Sequence, residues 1–249
     1  MRTIKQEIKI IVLWFIVALI AFVIGLWIFG IWHNRWSRYS ASAKISDGVC
    51  NIAVVPIIGD IIPYDRADQD GNGYELPPST NPDDVLAILR SAETDSNILG
   101  VFVRIDSAGG SPVASEIITN AIKKSPLPTV TLIREIGTSG AYLVATAAKN
   151  IIASPFSDIG SIGITMSYLE NTAKNAKDGL RYVPLASAQF KDYGDPDKPL
   201  TYAERILLER DLKIYHEQFV KEVAENRNLS VEQVAKLADG SSMPGSLAL

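Results

Sequence analysis

The chain has 249 residues, of which 47% are hydrophobic and 21% charged, and its formal net charge is −4. That length suffices for one α/β domain with a sizeable core and a short appendage, and so mild an acidity offers nucleic acid no basic surface. Cys50 is the only cysteine and there are two histidines, so no intrachain disulfide can form; neither a zinc site nor any other cofactor is expected.

The first element is apolar. Ile10–Trp32 carries no charged residue, and at about 1.5 Å rise per residue such a helix crosses a hydrocarbon core of about 30 Å. Trp27, Trp32 and Trp36 gather toward one end, as in an interfacial aromatic belt. Ala41-Ser42-Ala43 resembles a signal-peptide cleavage site, but the run is too long and the site too far past its end. The expectation is therefore residues 1–32 as N-terminus and uncleaved anchor, 33–50 as a polar linker with Cys50 as a buried filler, and 51–249 as the folded domain. The flanking charges are nearly balanced and leave the orientation open.

Asn51–Ile58 reads as a buried strand and residues 65–81 as a loop. Asn81-Pro82-Asp83-Asp84 supplies an N-cap, a proline at N1 and an acidic first turn for a helix to about Ala92. Ile98–Ile105 is predicted as a strand, Ser111 as the cap of a helix to Lys124, and Thr129–Arg134 as a strand before a small-residue helix after Ser139. Asn150–Ala153 and Ser161–Thr165 are read as short strands, 167–178 as a helix and Arg181–Leu185 as a strand. A long helix over 201–226, with Ile206, Leu207, Tyr215, Phe219 and Val223 facing a core, and a short helix from Ser230 close the chain. Strands alternating with helices imply an α/β fold on a parallel sheet.

Two glycine-containing turns join strands to helices: Asp106-Ser107-Ala108-Gly109-Gly110-Ser111 and Gly137-Thr138-Ser139-Gly140-Ala141-Tyr142. Such turns lie at the carboxyl ends of parallel strands, where ligands bind. Each alone is an ordinary tight connection, and a serine heading a helix is ordinarily a cap. Gly109-Gly110 lacks the Lys-Ser/Thr ending of a phosphate loop. A serine nucleophile needs a base, and neither His33, just after the apolar run, nor His216, within the long helix, adjoins a loop rich in residues suited to catalysis. A lysine can serve in its uncharged form, yet chain patterning does not single out Lys191 from an ordinary solvated loop lysine.

A resemblance does. Val101–Gly163 together with Ser187–Asp192 resembles the signal peptide peptidase A family and its SohB-like relatives, Ser–Lys peptidases of the ClpP/crotonase superfamily. Asp106–Ser111 matches the family's Asn-Ser-Pro-Gly-Gly-Ser oxyanion loop, and Thr138–Tyr142 its Ala-Ser-Gly-Gly-Tyr nucleophile turn. Gly160-Ser161-Ile162-Gly163 and Phe190-Lys191-Asp192 match two further segments in order. The resemblance implies a ClpP/crotonase-like fold of repeated ββα units, with Ser139 as nucleophile and Lys191 as general base. It further implies that Ser161 orients the lysine, that the Gly110 and Gly140 N–H groups form the oxyanion hole, and that no cofactor takes part. It implies peptide substrates such as signal peptides or unfolded segments, and a homo-oligomer sharing the dyad between subunits. The site would lie at the cell membrane, on a single-pass protein with its domain on the extracytoplasmic side. Ala108 departs from proline, Asp106 from asparagine and Thr138 from alanine, and family members continue beyond Leu249. Competing readings are a crotonase-like acyl-CoA enzyme, which shares the fold but not the serine–lysine pair, and a catalytically silent membrane scaffold.

Overall fold

The computed structural model describes residues 50–64 and 76–248, together with Trp14, Leu19 and Phe22–Gly25, which are helical and exposed. The predicted anchor over 10–32 otherwise lies outside the described residues, among which no helix is long and apolar enough to cross a membrane.

The first strand, β1 (Ile52–Ile61), places Ala53, Val55 and Ile57 on a fully buried face, as its β-branched alternation requires. After it come β2 (Ser79–Thr80), α1 (Pro82–Thr94), β3 (Gly100–Gly110) and α2 (Pro112–Lys124). Next are β4 (Thr129–Thr138), α3 (Gly140–Thr146), β5 (Asn150–Ala153) and β6 (Asp158–Gly160). The chain ends with α4 (Thr172–Lys177), α5 (Tyr202–Arg227), α6 (Val231–Ala235), β7 (Ser242–Pro244) and a 3-10 turn (Gly245–Leu247). The sheet order is β2-β1-β3-β4-β6-β7, with β5 also on β4; every pairing is parallel except β6 with β7. The architecture is therefore α/β on a mostly parallel sheet, as the alternation of elements predicts.

Helices α1 to α3 cover one sheet face. Val55, Ile57, Val103, Ile105 and Ile133 of the strands meet Val85 and Leu89 of α1, Ile118 and Ile122 of α2, and Val144 of α3. A second cluster seats the far end of α5 on α3, through Phe219, Val220 and Val223 against Leu143 and Ile162. Asn226 Nδ2 donates to Thr146 Oγ1 at 2.9 Å, and the Arg227 guanidinium to the Ala148 carbonyl at 2.8 Å. Helix α3 is thus fixed from two sides.

Several expectations are corrected. Arg181–Leu185 and Ser161–Thr165 are not strands: no neighbour offers either a ladder, and Val183 and Leu185 are exposed. The helix expected over 167–178 shrinks to α4. Ile206 and Tyr215 are exposed and Leu207 half-buried, so only Phe219 and Val223 of the expected α5 core positions pack inward. Cys50 is exposed, with its thiol 3.6 Å from the Ile52 carbonyl. Strands β1, β3 and β4 run three to five residues past their predicted ends, and β2 and β7, unforeseen, add short edges to the sheet. The extension of β3 and β4 carries both glycine turns onto the sheet itself.

Candidate active site

At its carboxyl end β4 changes partners. Residues 130–133 pair with β5, whereas Ile136, Gly137 and Thr138 pair with β6. The next residue, Ser139, has φ 52 and ψ −127. For a residue with a Cβ that geometry costs about 1–3 kcal/mol and persists only where its surroundings impose it. Here they do: the Ser139 N–H donates to the Gly160 carbonyl at 2.8 Å, and its own carbonyl accepts from Leu143 N–H at 3.1 Å. The side chain makes no capping hydrogen bond to α3. The expected default role for a serine heading a helix is therefore not the one it plays.

The Asp106–Ser111 loop lies against this turn. Gly109 has φ 100, and a Cβ there would stand 2.7 Å from Gly140 N, 2.9 Å from Thr138 O and 3.0 Å from Ser139 Cβ. Only glycine fits. Ser107 Oγ–H donates to the Gly59 carbonyl at 2.6 Å and accepts from Gly109 N–H at 3.0 Å, tying the loop to β1. Ser111 N–H donates to the Ile61 carbonyl at 2.7 Å. Gly110 N lies 3.5 Å from where a Gly140 Cβ would be, so the two expected oxyanion donors are neighbours. A Cβ on Gly140 itself would overlap Ser115 Oγ, which holds the Ser111 carbonyl at 2.9 Å.

Ser161 also has φ 52. Its hydroxyl donates to the Gly240 carbonyl at 3.0 Å and its N–H to the Ser241 carbonyl at 2.9 Å. It directly follows Gly160, whose carbonyl holds Ser139. The structure therefore gathers Gly109, Gly110, Ser139, Gly140 and Ser161 at the carboxyl ends of the interior strands β3, β4 and β6.

No hydrogen bond ties the Lys191 side chain to these residues. It lies in a turn-rich, exposed stretch, and its amine makes no hydrogen bond or ion pair among the described residues. The arm from Thr165 to Leu200 has no apolar core of its own: Leu169 is 87% and Leu185 95% exposed. Polar ties hold it instead. Lys198 Nζ pairs with Glu204, and also with Asp192 at 3.3 Å; Tyr182 O–H donates to Asp192 at 3.1 Å. Asn171 and Asn175 both donate to Asp197, the latter at 2.8 Å. Glu204 also caps α5, accepting from the N–H and hydroxyl of Thr201, both at 2.9 Å. The Lys198 ammonium, then the Thr201 N–H, holds the Glu204 carboxyl below the ordinary glutamate range. The Glu204 carboxylate in turn raises the Lys198 amine above the ordinary lysine range. Lys198, doubly paired, is thereby unsuited to be an uncharged base. Sequence reasoning missed this clasp and the role of Ser107; the Thr201-x-x-Glu204 capping-box spacing is the one legible signal of the clasp.

Comparison with known proteins places the chain among peptidases. The model of peptidase family S49 matches residues 121–249, just over half of the chain and inclusive of Ser139, Ser161 and Lys191. Protease 4 of Haemophilus influenzae is 30% identical over 221 residues, covering 86% of this chain and 32% of that protein. A candidate protease of Methanocaldococcus jannaschii is 32% identical over 162 residues, covering 64% of this chain and 52% of that one. The chloroplastic serine protease SPPA of Arabidopsis thaliana is 25% identical, covering 63% of this chain and 24% of its relative. The chain thus spans about half or less of the length of these curated relatives. Among solved structures, a ClpP1 mutant from Listeria monocytogenes matches at 18% identity with a TM-score of 0.45, covering 75% of this chain and 78% of that one.

Proposed function

Because the chain belongs to peptidase family S49, we propose that it is a serine peptidase working through a Ser139–Lys191 dyad. The observation that carries this reading is the backbone of Ser139, held at φ 52 with its side chain unused as a cap, directly against a two-glycine loop. Ser139 Oγ attacks the peptide carbonyl while uncharged Lys191 takes the hydroxyl proton. Charge developing on the carbonyl oxygen meets the Gly110 and Gly140 N–H donors. The tetrahedral adduct then collapses as Lys191 returns the proton to the leaving amine, and water hydrolyses the acyl-enzyme by the same path. Ser161 gives its own proton to the Gly240 carbonyl, which leaves its lone pairs to accept from the Lys191 amine.

The exposed arm supports a site completed by a second copy of the chain, so that Lys191 of one subunit serves Ser139 of its neighbour. Extended or unfolded peptides, signal peptides among them, are the substrate class. The apolar Ile10–Trp32 segment would tether the domain to the cell membrane, on its extracytoplasmic side.

A fluorophosphonate probe tests the assignment. Labelling of the wild-type chain should vanish in Ser139→Ala and in Lys191→Ala; labelling that survives Ser139→Ala would refute the nucleophile. Since an amine must lose its proton before it can act as base, turnover should rise with pH, and a rate highest in acid would exclude the dyad.

A further inference from the structure

The segment between the two donors of the site is held by a side chain that the dyad does not use. Thr138 Oγ1 donates to the Ala108 carbonyl at 3.2 Å, and Thr138 is only 6% exposed, so little water competes for that bond. Thr138 is the residue immediately before the nucleophile, and its backbone is registered to Gly160 of β6. Ala108 is the exposed residue between Ser107, which is tied to β1, and Gly109, which rests on the Ser139 turn. Alanine has neither a ring to restrict its backbone nor a polar group to anchor it.

Resting on the reading of Gly110 and Gly140 as oxyanion donors, we propose that Thr138 is a positioning residue that fixes the spacing of those donors by clamping the Ala108 carbonyl to the nucleophile turn. One residue then sets both halves of the site, since moving Thr138 moves Ser139 and the loop together. A proline at 108 would limit the same freedom covalently, by locking φ near about −65°. The hydroxyl and the ring are alternative solutions to one problem, and their effects should not add.

The test uses the full chain. Thr138→Val keeps the shape and removes the donor, Thr138→Ser restores it, and Ala108→Pro is made alone and with Thr138→Val. Rates of Ser139 phosphonylation by a fluorophosphonate, kcat and KM on fluorescein-labelled casein, and thermal midpoints are measured. A neutral hydrogen bond of ordinary strength corresponds to a roughly three- to tenfold rate effect. We expect that loss in phosphonylation rate and kcat for Thr138→Val with KM and midpoint unchanged, recovery in Thr138→Ser, and most of the defect erased by Ala108→Pro. Wild-type rates in Thr138→Val, failure of serine to rescue, or an equal effect of Ala108→Pro in both backgrounds would each overturn the clamp. If Ala108→Pro does not fold, the valine–serine pair decides alone. Ser139→Ala runs in parallel: phosphonylation that persists in it sinks the nucleophile assignment, whereas Ser139-dependent phosphonylation with an indifferent Thr138→Val sinks only the clamp.

Discussion

Gly109→Ala is the substitution that most directly probes the proposed chemistry. Its Cβ would stand 2.7 Å from Gly140 N and 2.9 Å from Thr138 O, both backbone atoms with no rotamer to yield. The clash can be relieved only by moving the loop of β3 away from the turn that ends β4, which separates the two oxyanion donors. Losing one such donor costs about 2.7–4 kcal/mol of transition-state stabilisation, a factor of about 10² to 10³ in kcat. The φ of 100 adds backbone strain of about 1–3 kcal/mol, and that part falls on folding stability. Gly179→Ala separates the two effects. Gly179 has φ 73 with nothing within 4 Å of its Cβ position, so alanine there strains the backbone without touching the site.

The assay is single-turnover phosphonylation by a fluorophosphonate, read beside the thermal midpoint. Gly109→Ala should lose both rate and stability, Gly179→Ala stability alone. A folded Gly109→Ala protein phosphonylated within threefold of the wild-type rate would refute the placement of the oxyanion hole.

Three further outcomes are expected. Ser161→Ala should lower turnover by roughly three- to tenfold, the worth of one hydrogen bond, with little change in midpoint; unchanged turnover dismisses Ser161 as the residue that orients the lysine. Glu204 has its carboxyl depressed in the folded chain, so its contribution is fully present above the ordinary glutamate pKa and is lost as pH falls through the lower folded value. Protection of the Glu204 and Arg205 amides, taken against the intrinsic exchange rate at each pH, should therefore fall on acidification in the wild type and lose that dependence in Glu204→Gln. Phe219→Ala, at a site only 6% exposed, should cost about 3–5 kcal/mol of stability, whereas Ile206→Ala on the same helix should leave monomer stability unchanged and weaken self-association measured by sedimentation; equal effects of the two on stability would contradict the exposed setting of the near half of α5.

The order of elements was legible because β-branched runs and capping residues are local signals. Asn81-Pro82 and Ser111 start their helices where sequence reasoning places them. The strand ends were not legible. Gly109-Gly110 and Thr138 look like turn residues, yet ladder partners on β1 and β6 draw them into the sheet. The opposite error at Arg181–Leu185 has the same origin: an apolar run becomes a strand only when a neighbour supplies its hydrogen bonds. The clamp from Thr138 to Ala108 and the clasp from Lys198 to Glu204 join residues through side chains on different elements or across a turn. Only the second left a sequence trace, in its capping box.

The two halves of the proposed site are held by different physics. Ser139, Gly109 and Gly110 sit where β3, β4 and β6 meet two hydrophobic clusters, and their left-handed backbones are imposed from every side. That half is complete within one chain. The arm bearing Lys191 buries almost no apolar surface and is fastened by the Lys198–Glu204–Thr201 clasp and by Asp192. Polar ties fix direction but supply little net stability in water, so the arm keeps its shape while its apolar side chains remain uncovered. A division of this kind is what the proposed shared dyad requires, a serine poised in one chain and a base supplied by a neighbour: peptide cleavage would then be confined to the assembled protein, where Leu169 and Leu185 would also be covered.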